Sequence, residues 1–342
     1  MSPSFPLPPF ELADRVGSIA SAEDPWETFA VHGESARAAI QAAVGPDFAW
    51  EGATVLDFGA GVGRTLRHFA EEMEVASFHA SDIDEESVAW LTANFPRVEA
   101  FTNAETPPLD RPDGTFDLVY NVSVFTHLLD LWAEWLLELR RVIKPGGLLV
   151  CSFMGKQESQ PIAGVPWDAE RTGMFGFANG QSWSMGGPMV MHSQWWLREH
   201  WGRAFDVVGF VDSAEAHPWF VHSLVVLRHP GGPAPTVEEL RAPGEDPREA
   251  PALQANLDYV QRECSWLRGE TYRLQAELEG GGGAPSADAA IEIARLRAEL
   301  DDAHRVLAQR DDQLRTFAES SSWRLAAPLR AAAAAARRAR GR

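Results

Sequence analysis

Three glycines at alternate positions, Gly59, Gly61 and Gly63, follow an apolar run that ends in an acid, Asp57, within VLDFGAGVGRTLRHF. A glycine-rich turn after a buried strand lets a ligand approach the backbone closely, because glycine has no side chain and adopts left-handed conformations. A second acid, Asp82 in HASDIDEE, ends the next predicted strand. A carboxylate at that position can accept hydrogen bonds from two ribose hydroxyls. Together these residues predict a site for a ligand that contains a ribose.

Three ligands that use such loops differ in what else they require. A nucleoside triphosphate needs a Lys-Ser/Thr pair after the last glycine, whereas Arg64 and Thr65 stand here at the wrong spacing. A dinucleotide needs G-x-G-x-x-G, and Arg64 occupies the position of its last glycine. An adenosyl amino acid has no phosphate and needs only close backbone approach with polar groups nearby. Asp82 does not separate the last two, and Asp84, two residues further on, is a competing ribose acid.

The motifs across about residues 50–153 resemble the class I S-adenosylmethionine-dependent methyltransferases. VLDFGAGVGR is similar to motif I, and SDIDEE to the ribose-binding acid with its hydrophobic neighbour. TNAETPPL stands where that family lays a polar residue and a backbone N–H against adenine. FDLVYNVSVFTHL is similar to motif IV with its following loop, and ELRRVIKPGGLLV to the late helix, turn and strand. Five motifs in the right order make the resemblance specific.

The resemblance implies a role for each matching position. The glycine loop is expected to approach the methionyl part of the cofactor, and Asp57 to position its ammonium. Asp82 is expected to hold the ribose and Ile83 to cover one face of the adenine. Asn103 and Ala104 are expected to meet the adenine edge, and the residues from Asn121 to Ser123 to line the methyl-donor end. The alternatives are a loop cap for Asp57, ordinary core for Ile83 and a turn for Asn103. The predicted cofactor-binding residues are Asp57, Phe58, Gly59, Ala60, Gly61, Gly63, Asp82, Ile83, Asn103, Ala104, Asn121, Val122 and Ser123.

Two histidines and two aromatic residues are the candidates on the acceptor side. His127 in VFTHLLD follows the strand that ends in the motif IV loop, and histidine can take a proton from a hydroxyl acceptor. The alternative is a structural histidine bonded to a neighbouring carbonyl. His192 begins a helix after the long insert 156–191, where Phe175 and Trp183 could stack on a sugar ring or another flat acceptor. The alternative for the insert is a packed surface loop.

The residues before motif I resemble the leader of a bacterial subgroup of these methyltransferases. In that subgroup a Phe…Gly segment and a helix help to close the cofactor site, and Phe29 and Gly33 stand at those positions. Arg15 and His32 are candidates for contacts with the cofactor or the acceptor.

Alternation of strand and helix patterns predicts the fold class: α/β, a doubly wound, Rossmann-like and mostly parallel sheet, followed by an α-helical coiled coil. Strands are expected at ATVLDFG, SFHASDI, VEAFTN, FDLVYNVSVF, LLVCSF, FDVVGFV and HSLVVLR, and helices at RTLRHFAEEM, EESVAWLTANF, LWAEWLLELRRVI and SQWWLREHW. The predicted boundaries are a leader at 1–49, the methyltransferase domain at 50–229, a Pro/Gly linker at 230–251, coiled-coil helices at 252–279 and 288–318, and a basic Ala/Arg tail at 319–342.

Two heptad stripes follow the linker. The first, from Leu253 to Leu278, has an unbroken 4-3 spacing, and the second runs from Ile293 to Phe317. They could pair as a hairpin across the glycines between them or with another chain, so a homo-oligomer or a coiled-coil partner is expected. The basic tail resembles those of bacterial glycosyltransferases and methyltransferases of surface-polysaccharide assembly. It predicts a weak peripheral contact with anionic lipid, against the alternative of a solvated end.

The amino-acid composition limits the kinds of partner and metal site that are expected. The 342 residues carry a formal charge of −19, which argues against a nucleic-acid partner. The two cysteines have no metal-site spacing, so no metal is expected. With no signal peptide and no long apolar run, the chain is expected to be cytoplasmic.

The expected function is transfer of a methyl group from S-adenosylmethionine to an acceptor, most naturally a hydroxyl of a sugar or other small molecule in cell-surface glycan biosynthesis. The alternative is a non-catalytic methyltransferase-like adaptor that acts through its coiled coil. A nicotinamide-dependent oxidoreductase is disfavoured by Arg64 and by the lack of a Tyr-x-x-x-Lys pair.

Overall fold

The computed structural model describes residues 5–16, 19–160, 166–177, 188–212, 222–280 and 287–319. The chain divides into two compact units. The first consists of Met1–Pro166 with His200–Arg241, and the second of Trp167–Glu199 with Ala242–Arg342.

The first unit is built on a seven-stranded sheet with strand order β3-β2-β1-β4-β5-β9-β8. Neighbouring strands from β3 to β5 pair in parallel, while β9 runs antiparallel to both β5 and β8. This order confirms the predicted doubly wound, Rossmann-like sheet. The strands of the chain are β1 Thr54–Phe58, β2 Ser77–Asp82, β3 Val98–Thr102, β4 Phe116–Asn121, β5 Ile143–Phe153, β6 Met174–Phe177, β7 Met189–His192, β8 Asp206–Val211 and β9 Ser223–Arg228.

Strand β1 and its neighbour β4 are buried almost throughout, as a central parallel strand covered on both faces requires. On one face an aromatic cluster fills the core. The ring of Phe69 lies 5.3 Å from that of Tyr120 and 5.7 Å from that of Phe78, and Trp50 stacks on Phe78 at 6.3 Å between ring centroids. This packing fixes the central strands whose carboxyl ends carry the predicted site.

The described helices are α1 Phe10–Arg15, α2 Pro25–Val44, α3 Glu85–Asn94, α4 Trp132–Val142, α5 Lys156–Ser159, α6 Gln194–His200, α7 Val237–Arg241, α8 Glu249–Gly280 and α9 Ala287–Glu319. Helix α2 begins where its sequence allows. Asp24 accepts hydrogen bonds from the Trp26 and Glu27 amides at 3.1 and 3.0 Å, and Pro25 occupies the first turn, where no amide donor is needed. Helix α7 lies within the predicted linker.

The predicted helix at RTLRHFAEEM is wrong. The structure forms two short 3₁₀ segments there, Leu66–Phe69 and Glu72–Glu74. The cause is contact with α2. The buried carboxylate of Glu72 accepts hydrogen bonds from Arg37, at 2.6 Å, and from Gln41, and these anchor the segment to that helix. Such tertiary contacts override helix propensity, which contributes less than 1 kcal/mol at most residues.

The second unit contains the two-stranded antiparallel sheet β6–β7 and the long helices α8 and α9, which pack against each other. Of the two pairings that the heptad stripes left open, the structure shows the hairpin. Arg310 of α9, buried at the helix pair, donates to the Asn256 side chain of α8 at 3.1 Å. The buried apolar positions of the two helices include Leu257, Val260, Cys264, Leu267, Ile293, Leu296, Ala303 and Val306.

None of the helices in the described part of the chain has the length and the apolar character that crossing a bilayer demands.

Candidate active site

The glycine loop after β1 has the conformation that its sequence predicts. Gly59, Gly61 and Gly63 have φ of 80°, 52° and 76°, which side-chain-bearing residues rarely adopt. A Cβ atom on Gly59 would lie 2.3 Å from Val124 Cγ2, and one on Gly61 would lie 2.2 Å from Val16 Cγ1. The loop is tied to the end of β2, because the amides of residues 59 and 60 both donate to the Ser81 carbonyl, at 2.8 and 3.0 Å. Its backbone is therefore tightly enclosed and fixed.

Asp57 is buried beside this loop. Tyr120 of β4, its partner in the sheet register, donates its hydroxyl to Asp57 Oδ2 at 3.0 Å. Burial raises the pKa of Asp57 to about 7, a net value to which the nearby Asp82 also contributes and which the Tyr120 hydrogen bond and the Arg64 charge oppose. A carboxyl group with this pKa changes its charge readily when a cation arrives beside it. Sequence reasoning missed Tyr120, although its place in motif IV beside β1 was a usable signal.

Asp82 joins the loop to the end of β2. Its Oδ2 accepts the Gly61 amide at 2.7 Å and its Oδ1 accepts the Asp84 amide at 2.9 Å. Burial raises its pKa, against the lowering effect of these backbone hydrogen bonds. Each carboxylate oxygen can accept more than one hydrogen bond, so both retain capacity for ribose hydroxyls. The competing acid Asp84 is a helix cap, because it accepts the Glu86 amide at the start of α3 and pairs with Arg15 at 3.0 Å.

The residues after β3 and β2 lie next to one another. The Asn103 amide donates to the Asp82 carbonyl at 3.0 Å, and the Asn103 side chain donates to the Ala104 carbonyl at 2.8 Å. The side-chain oxygen of Asn103 is buried, with no hydrogen-bond partner among the described residues. Ile83 is partly buried. This places a spare acceptor beside the ribose acid, at the position where the resemblance implies the adenine edge.

A second spare acceptor lies at the end of β4. Asn121 is fully buried, its nitrogen donates to Cys151 Sγ at 3.0 Å, and its oxygen has no partner within the described chain. Ser123, two residues on, has φ of 61°, and its amide donates to Ser152 Oγ at 2.7 Å. Val122 between them is partly buried. An acceptor without a partner costs about 1–3 kcal/mol when buried, so a donor from a ligand is the simplest way to satisfy it.

These groups fit S-adenosylmethionine. Its ammonium and adenine amino groups are donors, which suit the carboxylate of Asp57 and the spare amide oxygens, and its ribose hydroxyls suit Asp82. The glycine loop leaves its backbone free of side chains where a methionyl group needs close approach. Phe58 and Ala60 are buried in the same loop region, the Phe58 ring against Trp135 at 4.8 Å.

His127 lies in the same loop as Ser123. Its Nε2 is 3.3 Å from Ser123 Oγ, and its backbone amide donates to the Val124 carbonyl at 2.9 Å. The ring is therefore positioned at the carboxyl end of β4, beside the predicted methyl-donor end. Its assignment as base or as structural histidine stays a prediction.

Two further residues predicted for the acceptor side, His192 and Phe175, belong to the second unit. His192 ends β7, is buried, and has its ring 5.4 Å from that of Trp196. Phe175 of β6 is buried with its ring 5.1 Å from Tyr259. Trp183 lies outside the described residues. Their roles toward an acceptor stay predictions.

Residues 56–151 match the family model described as Methyltransferase domain. They form a class I methyltransferase domain. The match supports S-adenosylmethionine as the cofactor of this domain and covers the loop, both acids and the motif IV strand. It agrees with the strand order described above.

Similar proteins were found by sequence and by structure. A 2-methyl-6-phytyl-1,4-hydroquinone methyltransferase of Synechocystis is 33% identical over 120 residues, which is 34% of this chain and 37% of that protein. The structure of Burkholderia thailandensis 1,6-didemethyltoxoflavin-N1-methyltransferase with S-adenosylhomocysteine is 18% identical, has a TM-score of 0.43, and covers 66% of this chain and 92% of that one. A methyltransferase from Aquifex aeolicus is 20% identical with a TM-score of 0.40, covering 62% and 97%. The chain thus spans little more than a third of the curated relative.

Proposed function

We propose that this protein transfers a methyl group from S-adenosylmethionine to a hydroxyl of a sugar or other small molecule. The observation that carries the proposal is the arrangement at the carboxyl edge of the sheet. Within a matched methyltransferase domain, a fixed glycine loop lies between the buried carboxyl group of Asp57 and the partly buried one of Asp82, with two spare amide oxygens nearby. A domain kept only as a scaffold has no need for this combination.

The cofactor, when bound, supplies a methyl group activated on a sulfonium. The carboxylate of Asp57 accepts a hydrogen bond from the ammonium group. Tyr120 keeps the Asp57 carboxylate oriented through the 3.0 Å hydrogen bond. Asp82 holds the ribose while its backbone hydrogen bonds keep the loop in place. His127 takes the proton of the acceptor hydroxyl, which makes the oxygen a better nucleophile.

Replacing Asp82 with asparagine is expected to weaken binding of S-adenosylhomocysteine by about 10- to 100-fold, because hydrogen bonds to a charged group contribute about 1.5–3 kcal/mol. Isothermal titration calorimetry of the wild type and the Asp82→Asn variant measures this. Asp110→Asn is the matched control, since Asp110 is exposed on a loop of the same unit. A folded wild type that binds neither S-adenosylmethionine nor S-adenosylhomocysteine would favour the adaptor function instead.

The proposed class of acceptor is argued from resemblances to other enzymes. The tail and the aromatic insert support a hydroxyl of a cell-surface glycan, whereas the name of the Synechocystis relative is that of a hydroquinone methyltransferase. Transfer of a labelled methyl group to a panel of glycans and hydroquinones separates these acceptors. The tail, with its proposed weak contact to anionic lipid, lies outside the described residues.

The long helices support self-association as a further part of the proposal. Trp266, Tyr272 and Ile291 are large apolar side chains that are exposed on α8 and α9. A second copy of this chain that covers them would remove this apolar surface from water. Light scattering of the full chain is expected to give twice the mass of one chain, and the Trp266→Gln variant to shift toward the monomer. A monomeric wild type at high concentration would contradict this part.

A further inference from the structure

Four basic side chains lie at the carboxyl edge of the sheet in the first unit. Arg64 follows the glycine loop, His127 follows β4, His222 directly precedes β9, and His32 lies in α2. We refer to them as the basic cluster. Its members are far apart in sequence, and no motif unites them.

The packing of α2 brings the cluster together. A Cβ atom on Gly33 would lie only 2.1 Å from the Arg64 carbonyl oxygen, so the helix backbone rests directly on the residue after the loop. His32 is the neighbour of Gly33 and is thereby held near Arg64. On the other side, Ser223 pairs with Phe153 at the carboxyl end of β5. This register places His222 at the same edge of the sheet as the end of β4.

The charges of the cluster act on one another. Burial, together with smaller contributions from repulsion by Arg64, His127 and His32, lowers the pKa of His222 to about 4. Burial and the charge of Arg64 also lower the pKa of His32. Burial lowers the pKa of Arg64 itself to about 10, opposed only by attraction from Asp57. Near neutral pH, Arg64 therefore carries a positive charge, whereas His222 and His32 are uncharged and can take up a proton when an anion lies beside them.

The side chain of Arg64 is partly buried next to the glycine loop. Among the described residues it forms no ion pair or hydrogen bond through its guanidinium, and its attraction to Asp57 acts without an ion pair between them. A partly buried guanidinium normally pairs with a carboxylate or phosphate, often through two parallel hydrogen bonds. An anion from a ligand would supply that partner.

The strand order assigns the cluster to the acceptor half of the site. Asp82 ends β2, on one side of β1, whereas His127 follows β4 and His222 precedes β9, two strands on the other side of β1. The ribose and adenine therefore lie toward β2 and β3, away from these histidines. A ligand group that meets the cluster is therefore neither the ribose nor the adenine of the cofactor.

We propose that the basic cluster binds a negatively charged group, a carboxylate or a phosphate, of the methyl acceptor. The proposal rests on the proposed methyltransferase function and names the acceptor class as an anionic one. Arg64 supplies the permanent charge, and His222 and His32 add charge when they are protonated. Because a bound anion favours protonated histidine, binding takes up protons and tightens as the pH falls.

The test uses the full chain saturated with S-adenosylhomocysteine. Benzoate and sulfate, whose charges are the same at pH 6 and pH 8, are titrated in at both pH values; sulfate has the tetrahedral shape of a phosphate, and benzamide is the neutral counterpart of benzoate. The expected result is that at least one anion binds at least threefold more tightly at pH 6, while benzamide binds equally at both. The variants Arg64→Gln and His222→Gln are expected to weaken anion binding at least tenfold and threefold respectively.

Arg97→Gln and His79→Gln are the matched controls, because they remove the same side-chain types near the amino ends of β3 and β2. They are expected to leave anion binding unchanged. Absence of anion binding to the wild type would overturn the proposal, as would equal effects of the control variants. So would a tenfold loss of S-adenosylhomocysteine affinity in Arg64→Gln with no loss for 5′-methylthioadenosine, because Arg64 would then hold the cofactor's own carboxylate.

The initial titration of S-adenosylhomocysteine, without any added anion, tests the proposed methyltransferase function separately. Binding there, followed by no anion binding, would remove only the anionic acceptor. Circular dichroism of each variant shows whether it is folded.

Discussion

Replacing Gly33 with alanine is expected to lower the free energy of unfolding of the first unit by about 2–3 kcal/mol, the cost of overpacking a tight contact. Gly33 lies inside α2, where alanine is ordinarily better than glycine by about 1 kcal/mol. Here the added methyl group would lie 2.1 Å from the Arg64 carbonyl oxygen and 2.9 Å from His68 Cδ2. A backbone oxygen cannot move aside without shifting the glycine loop. The substitution is therefore expected to displace the glycine loop and, with it, to weaken cofactor binding.

Gly269→Ala provides the comparison, because Gly269 is also inside a helix, α8, and a Cβ atom there would meet nothing within 4 Å. That variant is expected to be stabilised by up to about 1 kcal/mol. Denaturant unfolding followed by circular dichroism, with S-adenosylhomocysteine titration, measures both variants. A Gly33→Ala protein as stable as the wild type would show that α2 does not rest on the loop.

The stability of the first unit is expected to fall as the pH rises from about 4 to 7, through Asp57. The pKa of Asp57 is about 7 in the folded protein, chiefly because of burial, against an ordinary value of about 3.9 for an unfolded chain. The folded state therefore holds this proton while the unfolded state has released it. The contribution is fully present below the unfolded pKa and is lost as the pH passes the folded pKa.

The size of this loss of stability follows from the pKa difference, because one pKa unit corresponds to about 1.4 kcal/mol. Between pH 5 and pH 8 the stability of the wild type relative to Asp57→Asn is expected to fall by about 2–3 kcal/mol. Urea unfolding of both proteins across this pH range, without cofactor, measures the difference between their free energies of unfolding. The contributions of titrating groups that both proteins share cancel in this difference. A difference that stays constant with pH would mean that Asp57 is already ionised in the free protein. Asp47→Asn, a substitution in the exposed turn after α2, is expected to show no such trend.

Local sequence patterns predicted much of the fold and of the candidate site. The alternation of buried strands and amphipathic helices predicted the doubly wound sheet, since each element shows its own periodicity in sequence. The glycine loop was predictable because only glycine adopts its conformations without strain. Asp82 was also predictable, because it ends the strand that follows the glycine loop in the sequence. The heptad spacing predicted α8 and α9, although it left their pairing open.

The tertiary structure alone decided the rest. Whether residues 66–74 form an α-helix depended on the side chains of α2, and the choice between Asp82 and Asp84 depended on which carboxylate capped α3. Tyr120 reaches Asp57 because β4 pairs with β1, and His222 lies at the same edge of the sheet as the glycine loop because β9 returns antiparallel beside β5. These contacts join residues far apart in the chain, and their energies depend on distance and burial after folding. The sequence by itself thus determined the type of each element and the loop's chemistry, whereas packing determined the partners and the charge of the site.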